Sequence, residues 1–324
     1  MDTPKVSTVT SCYRADKYIK RFLEELPQQT FFEHTQFVMD HNEPSDYELN
    51  CVRDFQEKHP GKLKHLIRDT VVPYGVSINT CFEAADAQFL AIWNMDDLRT
   101  PDSLEKQYAA ICDNSEIGVV YGDTYAVSAF GEKKGVKSSA PLAPEERFRS
   151  FVCGPHFMFR KSLCEKVGLY DEQFISGADF DFCIRLAFYC DFKYLATPTG
   201  YFLSASEGLS TRPNSTQPVE RTVIELRYGI YDKIQYGHLA AASSYTIPYL
   251  LQKGEWVHIR QFVPEWQELL QENSARWLAA GLVKSSALAV KAQTKNQIRR
   301  FIGDSRYFRL KSLYASIKKK LDIR

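Results

Sequence analysis

The sequence predicts an α/β fold in which a mostly parallel β-sheet is flanked by helices. Two observations support this prediction: apolar, β-branched runs alternate with amphipathic segments over roughly the first 125 residues, and each amphipathic segment is long enough for a crossover helix. The 324-residue chain contains 44% hydrophobic and 25% charged residues, which excludes a disordered chain or a collagen-like fibre.

The first elements alternate regularly. Val6–Cys12 is β-branched and ends at a polar turn, which predicts a strand. Lys17–Leu26 has apolar residues at helical spacing, which predicts a helix. The next predicted elements are a strand at Gln36–Met39 ending in a turn at Asp40–Pro44, a helix at Ser45–Lys58, a strand at Leu63–Arg68, a helix at Val76–Ala85 and a strand at Phe89–Trp93.

A helix start is predicted at Thr100-Pro101-Asp102, which supplies an N-cap, a proline and an early acid, and this helix should run to about Cys112. The alternation stops after Tyr125. The remaining predicted elements are a strand at Ile117–Tyr121, a mobile loop at Ser128–Glu146, a strand at Phe157–Phe159, a helix at Asp179–Tyr189 and mainly helical structure from Gln217 onward.

Polar residues follow several of the predicted strands, and in parallel α/β sheets ligands bind at the carboxyl ends of strands. Ser11 and Tyr13 end the first strand, Asp40 and His41 follow the second, and Asn94-Met95-Asp96-Asp97 follows the fourth. The first strand is not followed by G-x-G-x-x-G, and the chain has no P-loop motif. The sequence therefore disfavours a dinucleotide-binding or P-loop protein.

Asp96 and Asp97 form an aspartate doublet directly after an apolar strand. Adjacent carboxylates repel each other, and Mg2+ or Mn2+, which prefer oxygen ligands, would offset this repulsion. The alternative is that the doublet only caps the helix beginning near Pro101. Taken alone, the doublet leaves both interpretations open.

Several motifs occur in a defined order along the chain. They are V-S-x-V-x-S-x-Y-R-A-D-K-Y-I at 6–19, a strand followed by Asp40-His41-Asn42, Gly75–Asn79 before a helix, N-x-D-D-x-x-x-P-D-x-L at 94–104, Gly154–Arg160, Val167–Glu172 and Asp179–Arg185. Together, over roughly residues 4–212, they resemble the family 2 glycosyltransferases of the GT-A fold. The resemblance implies a Rossmann-like GT-A catalytic domain at 1–215, with a donor half to about 125 and an acceptor half from 126, and a helical C-terminal extension at 216–324.

The resemblance also implies an activity: inverting transfer of a sugar from a nucleotide-diphosphate sugar, with a UDP-sugar favoured, to a saccharide or lipid-linked saccharide. By match to the family's pattern, Asp97 would ligate Mn2+ or Mg2+ at the diphosphate, Asp96 would hydrogen-bond the donor, and Asp179 would be the general base. The other implied donor-binding residues are Ser11, Tyr13, Asp40, His41, Asn79 and Asn94, and the implied acceptor residues are Gly154 and His156.

Some residues depart from the family's pattern. Asn94, His41 and Ala178 stand where relatives commonly have acids, so a catalytically weak nucleotide-sugar-binding relative is the alternative function. For Asp179 the alternative role is an acid placed at a helix N-terminus, where the helix dipole favours it. Asp181, two residues further round the same helix, is expected to be structural.

The charge of the chain is concentrated at one end. Residues from Lys284 onward include twelve Lys or Arg and two Asp or Glu, a net charge of +10, whereas residues 1–283 carry a net −9. An amphipathic basic helix predicted at 307–321 suits either an anionic membrane surface or docking on the catalytic domain or a second subunit. A third hypothesis is that the tail binds nucleic acid. It is disfavoured, because aromatic and basic residues interleave poorly outside the tail. No nucleic-acid partner is expected.

Cysteine usage and hydropathy bear on the compartment. The eight cysteines form no C-x-x-C pair, and several lie in apolar runs, which predicts buried, reduced thiols. No signal-peptide pattern and no apolar run of about 20 residues is present. These features predict a cytoplasmic protein, peripheral at the inner face of the membrane if the tail binds lipid.

Overall fold

A computed structural model of the chain describes residues 3–137, 144–204, 208–228, 230, 233, 235–242, 244–245, 249–252 and 255–258. The strands are β1 (Val6–Tyr13), β2 (Thr35–Asn42), β3 (Leu63–Arg68), β4 (Phe89–Ile92), β5 (Leu98–Arg99), β6 (Ile117–Val127), β7 (Val136–Lys137), β8 (Met158–Arg160), β9 (Asp191–Leu203), β10 (Tyr249–Gln252) and β11 (Glu255–His258). The α-helices are α1 (Ile19–Glu25), α2 (Asp46–Lys58), α3 (Tyr74–Ala84), α4 (Ser103–Cys112), α5 (Leu163–Val167), α6 (Ala178–Ala187), α7 (Gln217–Arg227) and α8 (Leu239–Ala242).

One mixed sheet organises the fold, with strand order β3-β2-β1-β4-β8-β6-β9-β5 and β7 paired to β6. The pairs β1–β2, β2–β3 and β1–β4 are parallel, as is β6–β9. β8 runs antiparallel to β4 and β6, and β5 runs antiparallel to β9. Parallel pairing is thus concentrated in the first part of the chain, where β-α units alternate, and the α/β fold with flanking helices is confirmed.

Successive residues of a strand point to opposite sides of the sheet. In this protein, side chains are packed on both sides. On one face, Val9 and Val38 share a core with Phe82 of α3 and Phe182 of α6. On the other face, side chains of β1, β2 and β4 pack with α1, α2 and α4. Burial on both sides explains why β4 is continuously apolar, while β1 and β2 also bury small or hydrogen-bonded polar residues such as Thr10.

Helix α7 contributes to the first of these cores although it follows the predicted domain boundary at 215. Val223 and Ile224 are fully buried there, together with Tyr228. The prediction of mainly helical structure from Gln217 is only partly right, since β10 and β11 form an antiparallel hairpin. The predicted tail helix at 307–321 lies outside the described residues.

Several boundaries and elements differ from those predicted. β6 continues past the predicted end at Tyr121 to Val127, and β7 lies within the segment predicted as a loop at Ser128–Glu146. β2 continues through Asp40 to Asn42, so the polar residues expected in a turn extend the parallel ladder with β1. α4 begins at Ser103 rather than Pro101, because the Pro101 carbonyl accepts a hydrogen bond from the Thr30 N–H. β9 was not predicted at all. Its residues Asp191–Leu203 are only half-buried and mix charged with aromatic side chains, which blurs the alternation of a strand.

Candidate active site

The carboxyl ends of β1, β2 and β3 finish level with one another, since Tyr13 pairs with Asn42 and Asn42 pairs with Arg68. Ser11 pairs with Asp40, so both side chains lie on the face covered by α3. Asp40 is fully buried and accepts hydrogen bonds from Arg68 Nε at 2.8 and 3.0 Å. Arg68 remains 30% exposed and Tyr13 is 39% exposed. This edge therefore presents polar and aromatic groups to solvent.

His41 points to the opposite face, because it neighbours Asp40 in the same strand. Its Nδ1 lies 3.0 Å from His65 Nε2, and its Nε2 lies 3.3 Å from Glu48 Oε2. Glu48 also accepts hydrogen bonds from the backbone N–H groups of Ala15 and Ser45. His41 is fully buried with both ring nitrogens occupied inside the protein, so the prediction that it binds the donor conflicts with this geometry.

The carboxylate of Asp97 is held by two donors. The Leu203 N–H donates to Oδ1 at 3.0 Å, and Asn94 Nδ2 donates to Oδ2 at 3.2 Å. Trp93 Nε1 fixes the backbone of the same residue by donating to the Asp97 carbonyl oxygen at 3.1 Å. Asp97 is 1% exposed, and each of its carboxylate oxygens keeps a further lone pair for another partner.

The charge of the aspartate doublet is only partly offset. Burial raises the pKa of Asp96, and burial together with the neighbouring Asp96 charge raises the pKa of Asp97 well above its usual range. The positive charges of Lys17 and Arg99 act in the opposite direction without cancelling these effects. Two consecutive aspartates whose charges lack a full counter-charge fit Mg2+ or Mn2+, which prefer hard oxygen ligands.

Tyr74, the first residue of α3, connects the doublet with α6. Its hydroxyl donates to the Asn94 side-chain oxygen at 2.9 Å. Burial, and after it the negative charges of Asp179 and Asp97, raise the pKa of Tyr74 well above its usual range. Burial and Asp179 also raise the pKa of Tyr170, whose ring lies 6.5 Å from that of Tyr74. Tyr74 thus contacts the doublet loop through Asn94, and the charges of the doublet and of Asp179 both act on it.

Asp179 lies in the first turn of α6, where its Oδ1 accepts a hydrogen bond from the Phe180 N–H at 2.7 Å. Burial raises the pKa of Asp179 to about 6, and the charge of Glu220 acts in the same direction. A carboxylate with such a pKa can accept a proton near neutral pH.

Asp181 has a different environment from Asp179, although the two share a helix. It is fully buried and bonded to three side chains. These partners are Arg185 Nε at 2.9 Å, Arg227 Nη1 at 2.7 Å and the Tyr228 hydroxyl at 2.7 Å. The predicted structural role of Asp181 is confirmed.

Asn79 was expected to contact the donor, but its amide group is used within the protein. Its Nδ2 donates to the Tyr170 carbonyl oxygen and to Glu172 Oε1, both at 3.0 Å. Its Oδ1 accepts from the Tyr170 N–H at 2.8 Å. Asn79 therefore fixes the segment that carries Tyr170 beside the site, which conflicts with direct donor binding.

The two predicted acceptor residues are placed differently. Gly154 is half-buried and has a φ of 64°, in the region that favours glycine. His156 is 1% exposed and packs against Gly200, where a Cβ would lie 2.6 Å from its ring. Burial and the Arg99 charge lower its pKa well below the usual range, which keeps the ring neutral. Its burial conflicts with contact to an acceptor.

Sequence reasoning missed three side chains at or near this site. Arg68 ends β3, and the rule that singled out Asp40 at the end of β2 would also have found it. Tyr74 lies one residue before the quoted Gly75–Asn79 motif. Glu220 carries no local signal, because its partners are backbone groups more than forty positions earlier in the chain.

Comparison with known sequences identifies the family. The sequence model of glycosyl transferase family 2 matches residues 7–168, which is 162 of the 324 residues and includes the sheet edge and the aspartate doublet. The chain belongs to glycosyl transferase family 2. The resemblance noted from the motifs is thereby confirmed, while Asp179 and Glu220 lie beyond the matched span.

Individual relatives of this family 2 protein agree with the assignment. An uncharacterized glycosyltransferase of Methanocaldococcus jannaschii is 26% identical over 190 residues, which are 57% of this chain and 65% of that protein. The chain thus spans less than two thirds of that relative's length.

Two solved structures have a similar fold. Staphylococcus aureus TarS 1-349, in complex with UDP-GlcNAc, is 17% identical with a TM-score of 0.58, covering 88% of this chain and 92% of TarS 1-349. The mannosyltransferase PcManGT of Pyrobaculum calidifontis, in complex with GDP-Man and Mn2+, is 15% identical with a TM-score of 0.55, covering 98% of this chain and 81% of its own. At these identities the likeness establishes the fold.

Within the part of the chain that the structure describes, every helix is too short or too polar to cross a lipid bilayer.

Proposed function

We propose that this family 2 protein transfers a sugar from a nucleotide-diphosphate sugar to a saccharide or lipid-linked saccharide, with inversion at the anomeric carbon. The observation that carries the proposal is that Tyr74 donates a hydrogen bond to Asn94 of the doublet loop and is influenced by the charges of both Asp97 and Asp179. In this proposal the doublet serves the leaving group, and Asp179, a separate carboxylate, serves the acceptor.

The donor nucleoside is proposed to bind at the level ends of β1, β2 and β3. Tyr13 offers an exposed aromatic ring, and Arg68, held in place by the buried Asp40, offers a charged hydrogen-bonding group near Ser11. Such groups can stack on a base and bond its edge or its ribose. A UDP-sugar is the favoured donor. The TarS structure contains UDP-GlcNAc and the PcManGT structure GDP-Man, so both nucleotides are natural probes.

The diphosphate is proposed to bind at the doublet. Asp97 would hold Mn2+ or Mg2+ through its remaining lone pairs, while Asp96, which is less buried, would accept hydrogen bonds from the donor's ribose or sugar. A divalent ion bound there would stabilise the negative charge of the departing diphosphate. Asn94 orients Asp97 through its amide hydrogen bond, so an amide suits this position even though relatives commonly have an acid there.

Asp179 is proposed to be the general base. As the acceptor oxygen attacks the anomeric carbon, its proton passes to the Asp179 carboxylate, and the bond between that carbon and the diphosphate oxygen breaks. Attack opposite the leaving group inverts the anomeric centre and needs no covalent enzyme intermediate. General base catalysis of this kind contributes about 10²- to 10⁴-fold.

Asp179→Asn provides the decisive test. Release of nucleoside diphosphate from UDP-GlcNAc and GDP-Man would be measured with Mn2+, with and without p-nitrophenyl glycosides as acceptors. We expect Asp179→Asn to bind the donor with unchanged affinity and to lose transfer by about 100-fold or more. Asp191→Asn, an exposed residue at the start of β9, is the matched control. Normal transfer by Asp179→Asn would refute the assigned base, and a wild-type protein that binds both donors but turns over neither would show a binding protein instead.

A further inference from the structure

Glu220 of α7 accepts hydrogen bonds from three consecutive backbone N–H groups. Its Oε2 accepts from Ser176 and Gly177, each at 2.7 Å, and its Oε1 accepts from Ile175 at 3.0 Å. The side chain is fully buried. Hydrogen bonds to a carboxylate are stronger than those between neutral groups, so this single side chain fixes the turn that precedes α6.

Helix α7 packs closely against the turn at Gly177. A Cβ placed on Gly177 would lie 3.2 Å from the Glu220 Cβ and 3.1 Å from Ile224 Cδ1, so glycine allows α7 to approach the turn. The Tyr245 hydroxyl lies 3.3 Å from Glu220 Oε1. The contact is therefore built from several parts of the chain.

The turn held by Glu220 leads directly into the first turn of α6. Gly177 precedes Asp179 by two positions, and its carbonyl oxygen accepts the Asp181 N–H at 3.1 Å, which begins the helical hydrogen bonding. A rotation of the 175–177 turn would consequently move the Asp179 carboxylate relative to Tyr74 and the doublet.

We propose that Glu220 is a positioning residue, whose carboxylate fixes the 175–177 turn and thereby aims Asp179 at the acceptor hydroxyl. This inference rests on the proposed role of Asp179 as general base. It assigns part of the active-site geometry to α7, a helix outside the span that the family model matches.

The charge of Glu220 gives the proposal a second, separate readout. Burial is the main cause of the raised pKa of Asp179, and the negative charge of Glu220 adds to it. Among the residues that the structure describes, Tyr74, Tyr170 and Cys183 also interact electrostatically with Asp179. Removal of the Glu220 charge should therefore lower the pKa of Asp179 and shift the acid limb of the pH–kcat profile to lower pH.

The test compares Glu220→Gln and Glu220→Asp with Glu225→Gln, which makes the same change at another buried glutamate of α7. Kinetics would be measured with UDP-GlcNAc or GDP-Man, Mn2+ and p-nitrophenyl glycosides, and donor affinity by calorimetry. Glu220→Gln should lower kcat about 10- to 100-fold, as expected for a displaced reacting group, with donor Kd unchanged. Glu220→Asp keeps the charge but withdraws the carboxylate, so it should lower kcat without moving the acid limb. Glu225→Gln should change neither.

The outcomes separate this inference from the function on which it rests. If Glu220→Gln folds and retains the wild-type kcat and pH profile while Asp179→Asn is inactive, the positioning role is wrong and the general base stands. If Glu220→Gln weakens donor binding as much as kcat, its effect is general and the positioning role is also wrong. If Asp179→Asn retains transfer, the proposed function fails first. Should Glu220→Gln not fold, Glu220→Asp decides by kcat and donor Kd alone: a wild-type kcat, or a loss of donor affinity equal to the loss of kcat, would refute the positioning role.

Discussion

The hydroxyl of Tyr74 donates to the side-chain oxygen of Asn94 at 2.9 Å, and the amide nitrogen of Asn94 donates to Asp97 at 3.2 Å. This relay connects the first residue of α3 to the aspartate doublet. The carboxylate proposed to hold the metal ion is thus oriented by a residue outside its own loop.

Tyr74→Phe should lower turnover about 10-fold, because Asn94 loses the partner that fixes its amide and Asp97 can rotate. The loss of one buried hydrogen bond should reduce the free energy of unfolding by about 1 kcal/mol. Steady-state kinetics and urea unfolding would measure the two effects. Tyr108→Phe, on the opposite face of the sheet, is the control. An unchanged kcat would show that the relay is dispensable.

Asp97→Asn should stabilise the protein in the absence of metal, because it removes one of two adjacent, buried and incompletely offset negative charges. The midpoint of thermal unfolding should rise by about 2–4 °C for each kcal/mol gained. The same variant should lose the stabilisation that Mn2+ gives the wild type and at least about 100-fold in turnover. Thermal melts with and without Mn2+ would check this. An undiminished Mn2+ response would place the ion elsewhere.

Arg68→Lys should weaken nucleotide binding about tenfold while kcat stays near the wild-type value, because lysine keeps the charge but loses the planar group that pairs with Asp40. Calorimetric titration with UDP and GDP measures the effect, and Arg53→Lys, on the exposed side of α2, is the control. If Arg68→Lys binds UDP and GDP with the affinity of the wild type, Arg68 does not belong to the donor site.

The His41–His65 pair should make stability depend on pH. Burial lowers the pKa of both rings, that of His65 to about 4, and the nearby charges of Glu48, Asp40 and Asp16 raise that of His41 only in part. Between about pH 4 and the unfolded-state pKa of about 6.5, the unfolded chain therefore binds more protons, so the free energy of unfolding falls as pH falls. Urea unfolding of wild type and His65→Gln would test this. Equal pH slopes for the two proteins would contradict it.

The sequence predicted the parallel half of the fold well, because β1, β2 and β4 are mostly buried and each helix has one apolar face. It failed at β9, where half-buried aromatic and charged residues conceal the strand period. It also placed a turn at Asp40, since polar residues usually end strands, whereas here Arg68 offsets the buried Asp40 charge and lets β2 continue.

The doublet and Asp179 belong to separate motifs, and the charges of both act on Tyr74. The roles assigned to them from the motifs remain predictions. The expectation failed for His41 and Asn79, because a motif does not reveal which face a strand residue takes or whether an amide already has partners. Tyr74 and Glu220 act through contacts distant in the chain, which local patterns do not encode.

Arg227 of α7 lies between two buried carboxylates and donates to Asp171 at 2.8 Å and to Asp181 at 2.7 Å. A shortened protein ending at residue 215 would leave both acids without this counter-ion and would open a hole where Val223 and Ile224 pack. Removing one partner of a buried ion pair costs about 3–5 kcal/mol, a large share of the roughly 5–15 kcal/mol that keeps a typical domain folded. The smallest fragment suitable for expression or engineering therefore has to retain α7.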